Sequence, residues 1–293
     1  MRNLLRANFS RLWKSKIFWA GILTMVGLAG FVVWNQYDEM STYGIVVTAE
    51  QPLFMSMVLM GVVSAVLVSL LVGVEYSDGT IRNKVIVGQT RCAVFVAAYV
   101  VSAFAVLVIY VLAVAVALVL GLALFEPPEI SWPMICGAIG VGVAMSLAYA
   151  AVYNLIAMVC SNRTYTAIIC VLLSFLLMMG GTYVYNRLTQ PEFIQQLAPI
   201  TEQVDENTEV TVGVTEDGEF DDMRLETVPN PNYLSGAARE RFQFFMDVNP
   251  TGQAMELSTL ELIHPVRIVL YDAAIVALCC LAGILIFRKK DIK

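Results

Sequence analysis

Charged residues are scarce in this sequence. Asp, Glu, Lys and Arg together make up 14% of the 293 residues, whereas hydrophobic residues make up 58%. In a soluble domain about a quarter of the residues are charged. The apolar residues occur in runs of about twenty, the length that crosses a bilayer core about 30 Å thick. This composition excludes an ordinary soluble domain and indicates a multi-pass membrane protein.

Side chains that bind metals or form disulfides are also few. The single histidine, His264, has no cysteine near it in the polar parts of the chain, so we expect no zinc-type metal site. No Ser/His or paired-acid arrangement lies within the apolar runs, so we expect no catalytic residues. We also expect no nucleic-acid partner. The cysteines all lie in apolar runs, which argues against a disulfide framework in the polar segments: Cys92, Cys136, Cys160, Cys170, Cys279 and Cys280.

Six apolar spans predict six transmembrane helices and an all-α membrane fold. The third span has no polar turn in its middle and predicts one long helix that tilts or projects beyond the bilayer. The spans comprise residues 17–34, 53–74, 92–125, 134–160, 165–183 and 268–287.

The distribution of Lys and Arg predicts the orientation of these helices. If both termini are cytosolic, the inner segments carry thirteen basic residues and three acids, and the outer segments carry five arginines and twenty acids. Basic residues concentrate on the cytoplasmic side of membrane proteins. We therefore predict six helices with both termini in the cytosol. The first five lie within residues 17–185, and the sixth, with its basic tail, lies within residues 265–293.

Residues 1–16 predict an amphipathic helix that precedes the first crossing. Apolar residues recur at helical spacing, with basic residues between them, as expected for a helix on an anionic cytoplasmic surface. A basic flank without a further role is the alternative. The apolar positions are Leu5, Phe9, Leu12 and Trp13, and the basic positions are Arg2, Arg6, Arg11 and Lys14.

A long acidic segment, 186–264, separates the fifth and sixth helices. It contains fifteen acids and four arginines, which we interpret as the solvation of a small α+β extracellular domain rather than a cation site. Residues 209–214 and 223–228 predict a β-hairpin with its turn at 216–218. Ser235 is placed to cap a helix that ends before Pro250, and a second short helix is predicted near 254–263.

The inner segment 75–91 predicts a short helix between the second and third membrane helices. Ser77 or Asp78 can cap its start, Gly88 can end it, and Thr90 can cap the long helix that follows. Ile81 and Val85 share one face of the short helix. The polar residues are predicted to face water or a partner: Arg82, Asn83 and Lys84. Force applied to such a helix would reach both membrane helices.

The pattern of Glu75, Gly79-Thr80, Gly88 and Arg91 resembles the coupling-helix region of type-2 ABC transporter permeases. The ending 287–293 is similar to the Phe-basic-basic-Asp ending common in that family. Residues 249–253 resemble a segment found before the last helix in several members. With the six-helix layout and the outer insertion, the resemblance covers nearly the whole chain.

The resemblance implies a transport permease, not an enzyme, that works with separate cytosolic ABC ATPase subunits and with a second permease copy. The sequence contains no G-x-x-x-x-G-K-[ST] phosphate loop, so ATP and Mg²⁺ are expected in the partner ATPase and no cofactor in this chain. Arg163, in the inner loop 161–164, would make a smaller second contact. The ATPase-coupling residues implied are Glu75, Ser77, Asp78, Gly79, Thr80, Ile81, Arg82, Val85 and Arg91.

The resemblance also places the second and fifth helices along the transport pathway. Flexible, polarizable methionines suit varied apolar cargo, although ordinary packing is the alternative for these residues. The candidate pathway residues are Met57, Met60, Ser64, Ser174 and Met178.

Asp272 is the only ionisable side chain predicted inside the bilayer, and such groups are functional candidates. We expect it to pair with Arg267 near the outer surface as a structural or gating contact. A substrate or proton site is the alternative.

These features favour the permease subunit of an ATP-driven exporter in a bacterial plasma membrane. Its substrate would be hydrophobic or amphiphilic, such as a drug, an antimicrobial peptide or a lipid, and the transporter would be a homodimer or a heterodimer surrounded by membrane lipid. Two alternatives remain open. An ion-coupled secondary transporter would use intramembrane charges, and a non-transporting sensor or scaffold would use the acidic outer segment.

Overall fold

The apolar runs form long helices, since a helix satisfies its backbone hydrogen bonds internally, as a bilayer requires. The computed structural model describes residues 2–160, 162–199, 210–214 and 220–290. The helices are α1 (Arg2–Lys14), α2 (Lys16–Tyr43), α3 (Met60–Ser77), α4 (Thr80–Ile86), α5 (Arg91–Leu124), α6 (Trp132–Val159), α7 (Arg163–Leu188), α8 (Gly236–Val248), α9 (Pro250–Thr259) and α10 (Pro265–Lys289). The strands are β1 (Phe193–Pro199), β2 (Val210–Val214) and β3 (Phe220–Pro229).

Six of these helices are long and apolar enough to cross a membrane, as predicted: α2, α3 with the 3₁₀ turn Met55–Leu59 before it, α5, α6, α7 and α10. The third span is one continuous helix of 34 residues, about 51 Å at 1.5 Å per residue. The Thr90 hydroxyl caps this helix by accepting from the Ala93 amide at 3.3 Å. The helix ends at Leu124, just ahead of Pro127 and Pro128.

The first compact unit comprises residues 1–182 and 244–293, and its centre is formed by α3, α5 and α6. α2 packs on α5, and α10 packs on α6. These two helices and α7 are less buried than the central three. Their exposed apolar side chains therefore provide surface for lipid or for another subunit.

Helix α1 packs on the protein through one face. Leu4 and Leu12 are buried, and the Phe9 ring contacts Phe104 of α5 at 5.1 Å between centroids. Trp13, predicted on this face, is about half exposed. The basic residues Arg2 and Arg6 face outward.

The second compact unit, Tyr183–Gln243, contains a three-stranded antiparallel sheet in the order β1–β3–β2. Val210 pairs with Arg224 and Val214 with Phe220, so the predicted hairpin is present, although its turn 216–218 lies outside the described residues. Strand β1 was not predicted, because its sequence Phe-Ile-Gln-Gln-Leu-Ala-Pro lacks an alternating pattern.

The predicted outer segment 186–264 does not form one unit. α8 follows the predicted helix after Ser235, but α9 begins at Pro250, earlier than the predicted 254–263, and belongs to the first unit. Asn249 caps α9, and Pro250 fits the first helical position, where no amide donor is needed. The cap therefore sets the start of this helix.

Close helix packing depends on particular glycines. The Tyr110 ring of α5 occupies the space where a side chain at Gly142 would lie, and its hydroxyl donates to the Ile139 carbonyl at 3.0 Å. Gly137 and Gly140, on the same helix, face open space, with no neighbouring atom within 4 Å of the point that a Cβ would occupy. The tight contact of this glycine-rich stretch is therefore made at Gly142.

We expect Gly142→Ala to lower thermal stability, because its methyl group would overlap Tyr110 and overpacking costs about 1–3 kcal/mol. Thermal unfolding of the detergent-purified protein measures this effect. Gly140→Ala, two residues away and facing open space, is the matched control and should leave the melting temperature unchanged. Equal melting temperatures for the two variants would contradict the packing described.

Candidate functional site

A buried carboxylate, Glu75, organises one end of the helix bundle. It lies near the end of α3 and is 8% exposed. Lys84 of α4 places its Nζ 2.7 Å from Oε2, and Arg11 of α1 places Nη1 3.3 Å from Oε1. A buried carboxylate needs such partners because desolvation of an unpaired charge is costly. The two ion pairs join α1, α3 and α4; we call this end the basic end.

Hydrogen bonds to uncharged acceptors complete the Glu75 cluster. Lys84 also donates to Asn8 Oδ1 at 2.8 Å, and Asn8 is buried on α1. Arg11 donates to the Thr80 hydroxyl at 3.2 Å, which in turn donates to the Glu75 carbonyl at 2.9 Å. The contact between α1 and α4 was not predicted. A polar residue on the apolar side of α1, Asn8, was the signal that could have indicated it.

Two glycines delimit α4. Gly79 precedes the helix with φ 64° and Gly88 follows it with φ 91°, both in the left-handed region that favours glycine. Gly88 ends the helix as predicted. The predicted cap by Ser77 or Asp78 is wrong, because the chain turns at Gly79 and the Ser77 hydroxyl donates to Val74 of its own helix at 3.1 Å.

The two faces of α4 have different environments. Ile81 is 1% exposed and Val85 is half-buried, as their shared face predicted. Lys84 faces inward rather than toward water, because it neutralises Glu75. The outward face combines a cation, an amide and two apolar side chains that are 70% and 80% exposed: Arg82, Asn83, Ile86 and Val87. Exposed apolar residues beside an arginine are typical of a protein contact. We call these four residues the α4 outer face.

Arg91, a predicted coupling residue, caps the last helix. As the first residue of α5, it donates through Nη1 to the carbonyls of Phe287, Arg288 and Lys290, the second of these at 3.0 Å. The last carbonyls of a helix have no partner within the helix, so a cation there is favourable. Arg91 therefore joins the end of α10 to the start of α5.

Lys290 extends the same connection. Its ammonium donates to the Val159 carbonyl at 2.8 Å and to the Met158 carbonyl at 3.0 Å, and it lies 4.7 Å from the centroid of the Tyr76 ring. Burial lowers the pKa of Lys290. Lys290 thus contacts the ends of α3 and α6.

Of the other predicted coupling residues, Asp78 is exposed and Arg163 begins α7. The stem of Arg163 contacts α3 where Gly73 has no side chain, with Cγ 3.0 Å from the point that a Cβ of Gly73 would occupy. Ser161 of the same inner loop lies outside the described residues. The predicted contact of Arg163 with an ATPase subunit stays a prediction.

The candidate pathway residues lie inside the helix bundle of this chain. Met57, Met60, Ser64 and Ser174 are buried, and Met178 is half-buried. In this conformation they pack within the protein. A role in the transport pathway stays a prediction.

A polar network surrounds the other end of α10. Arg267 Nε lies 3.2 Å from Asp247 Oδ2 and 2.9 Å from the Tyr271 hydroxyl. Asp272 is buried and accepts from Gln253 Nε2 at 3.0 Å. The predicted Arg267–Asp272 pair is therefore replaced by two separate contacts. Asp272 follows Arg267 by five residues, which places it about 140° around the helix, whereas Tyr271 follows Arg267 by slightly more than one turn and lies on nearly the same face.

The segment 249–253 connects several helices through its side chains. Asn249 Oδ1 accepts from the Thr251 amide at 3.1 Å, and its Nδ2 donates to the Leu177 carbonyl of α7 at 2.9 Å. The hydroxyls of Thr251 and Tyr149 of α6 lie 2.8 Å apart. With the Gln253–Asp272 contact, α9 is joined to α6, α7 and α10.

These features define a multi-pass membrane protein in which a short helix is fixed between two membrane helices. A family profile described as ABC-2 family transporter protein matches residues 4–181, which is 178 of the 293 residues. The chain belongs to the ABC-2 family of transporter proteins. The match includes α1, α4 and the Glu75 cluster, and it supports a membrane permease of an ABC transporter. A search of curated proteins found no significant match.

We expect Lys84→Met to destabilise the protein by about 2 kcal/mol, because it removes one partner of a buried carboxylate. Thermal unfolding in detergent measures the loss. The matched control is Arg82→Met on the exposed side of the same helix, for which we expect little change. Equal effects of both substitutions would show that the Lys84–Glu75 pair contributes no particular stability.

We expect Asn249→Ala to cost about 2 kcal/mol, since it removes both the cap of α9 and the bond to Leu177. Asn249→Ser retains a capping oxygen but no donor for Leu177, so about half of that loss is expected. Chemical denaturation of the three proteins side by side measures the gradation. A serine variant as unstable as the alanine variant would argue against the capping role.

Proposed function

We propose that this chain is the permease subunit of an ATP-driven exporter, with its basic end in the cytosol. Membership of the ABC-2 family, together with six apolar helices, supports the permease role. The excess of Lys and Arg near the basic end supports the orientation, because such residues concentrate on the cytoplasmic side. The protein would then lie in a plasma membrane. A permease chain that is separate from its ATPase favours a bacterial origin.

The positions of the tryptophans support this placement in the bilayer. Trp13 and Trp19 are exposed at the basic end, and Trp34 and Trp132 are exposed toward the other end of α2 and at the start of α6. Tryptophan is enriched at both membrane interfaces. From its first residue, Lys16, to Trp34, α2 rises about 27 Å, close to the thickness of the hydrocarbon core.

The observation that carries the proposal is the two-sided character of α4. Its outer face exposes Ile86 and Val87, while Lys84 on its inner face is bound to Glu75 of α3. A cytosolic ATPase subunit that docks on the α4 outer face would push a helix attached to α1, α3 and α5. In this proposal Glu75, Thr80 and Arg91 transmit the movement of α4 to the membrane helices. The partner ATPase binds ATP and Mg²⁺.

Contacts at the basic end would also transmit the movement of α4 to the last helix, α10. Arg91 holds the end of α10, so a displacement of α5 would carry α10 with it. Lys290 adds the ends of α3 and α6 to the moving group. Closure of the ATPases would in this way change the packing of several membrane helices together. The pathway would then open to one side of the membrane and the other in turn.

A second permease copy would complete the pathway. Exposed apolar residues recur at helical spacing along α7, and such a stripe needs lipid or another helix to cover it: Tyr165, Ile168, Leu172, Phe175, Leu176 and Met179. We propose that a homodimeric or heterodimeric partner covers part of the apolar surface and lipid covers the rest. A hydrophobic or amphiphilic substrate, such as a drug, a peptide or a lipid, would fit walls of this kind.

We expect Ile86→Asp to reduce recovery of the ATPase with the tagged permease about tenfold or more, because a charge in an apolar contact is costly to desolvate. Affinity purification followed by quantification of the ATP-binding subunit measures this. Val46→Asp, at a similarly exposed valine near the other end of α2, is the matched control and should retain the ATPase. Full recovery with Ile86→Asp, and with Arg82→Glu, would exclude docking on the α4 outer face.

Transport assays separate this proposal from its alternatives. Transport that stops when the proton gradient is collapsed while ATP is maintained would instead support an ion-coupled transporter that uses Asp272. Function that survives replacement of residues 79–88 by a neutral linker would support a sensor or scaffold.

A further inference from the structure

A cavity of about 260 Å³ lies beside the junction of α1 and α2. Its apolar lining comes mainly from α3 and α5, with residues such as Leu71 and Val101. Its polar lining residues are Asn8, Arg11, Lys14, Ser15, Glu75 and Ser102. A cationic rim above an apolar wall has the chemistry of a site for an amphiphile with an anionic head group.

The cationic side chains that line the cavity, Arg11 and Lys14, have N–H donors available for a ligand. Among the described residues, the contacts of Arg11 run through Nη1 alone, to Glu75 and Thr80, which leaves Nη2 and Nε for a ligand. Lys14 is exposed and makes no ion pair within the described part of the chain. Glu75 also lines the cavity, but its charge is balanced by Lys84 and Arg11.

The start of α2 adds to the attraction for an anion. α2 begins at Lys16, and its N-cap residue Ser15 makes no side-chain hydrogen bond to the first turn. The first amides of a helix point out of its end and favour negative charge there. Ser15 and Ile17 both line the cavity, so the start of α2 borders it together with Arg11 and Lys14.

The aromatic residues at the junction place the cavity mouth at the level of lipid head groups. Trp13 and Trp19 are about half exposed, and their rings lie 6.0 Å apart. Trp19 Nε1 donates to the Trp13 carbonyl at 3.0 Å, which fixes the junction. Exposed tryptophans prefer the interface between the acyl chains and the head groups.

We propose that this cavity binds one anionic phospholipid from the leaflet at the basic end. Its phosphate would lie between Arg11, Lys14 and the start of α2, and an acyl chain would lie along Leu71 and Val101. Pockets of basic residues between membrane helices bind anionic head groups in this way. The site does not depend on the exporter proposal, because no ATPase takes part in it.

Lipid binding at this site would also affect α4. The guanidinium of Arg11 that would meet the phosphate also contacts Glu75 and Thr80 through Nη1. A bound phosphate would hold this side chain in place and stabilise the contact between α1 and α4. The lipid would therefore strengthen the connection between the interfacial helix and the Glu75 cluster.

Native mass spectrometry of the full chain in detergent, with added phosphatidylglycerol or phosphatidylcholine, tests the proposal. We expect one phosphatidylglycerol to be retained in preference to phosphatidylcholine. Arg11→Gln with Lys14→Gln should weaken this binding about thirtyfold, since each basic residue near an anionic lipid contributes roughly fivefold. The matched control, Arg2→Gln with Arg6→Gln, removes two exposed charges from the same helix outside the cavity and should change binding less than about twofold.

Two further variants distinguish lipid binding from loss of structure. Lys14→Gln alone breaks no described ion pair, and it should weaken binding about fivefold without a change in melting temperature. Leu71→Trp should fill the cavity and lower lipid retention with the charges intact. Equal retention of both lipids, undiminished binding to Leu71→Trp, or full displacement of the lipid by millimolar inorganic phosphate would overturn the proposal.

Discussion

The carboxylate of Glu75 is the constraint on which the basic end of this protein depends. A charge that is 8% exposed requires counter-charges at hydrogen-bond distance, and these come from α4, the next helix along the chain, and from α1, which is distant in sequence. Lys84 consequently turns inward, and Arg11 draws α1 onto α4. The opposite side of α4 is left to Ile86 and Val87. The exposed surface of this helix is therefore a consequence of how the buried charge is neutralised.

Polar side chains at both ends of the bundle serve as connections between helices. Arg91 supplies donors to the final carbonyls of α10, and Asn249 connects α9 to α7. Between these ends, packing depends on shape, as where Tyr110 fills the space above Gly142. In a bilayer the hydrophobic effect does not hold helices together, so close packing and hydrogen bonds carry the association. The polar connections lie at the ends of helices, where the chain passes from one helix to the next.

The sequence predicted the features that depend on local pattern. Apolar length predicted the six helices, and the lack of a polar turn predicted the continuous α5. The partners of charged side chains could not be read from spacing, because they lie on other helices. Lys84 was expected to face outward, and Arg267 was expected to pair with Asp272 rather than Asp247. The β1 strand lacked an alternating pattern, and the start of α9 was set by a cap rather than by its apolar residues.

The brevity of α4 limits how its sequence can change. It comprises seven residues, Thr80–Ile86, which is less than two full turns, and it lies between Gly79 and Gly88. One inserted residue would rotate everything after it by about 100°, which would direct the α4 outer face toward Glu75 and remove Lys84 from its partner. Exchange of one exposed side chain for another leaves this arrangement intact. The segment therefore tolerates substitution of its exposed residues but not insertion or deletion, so its surface can diverge while its length stays fixed.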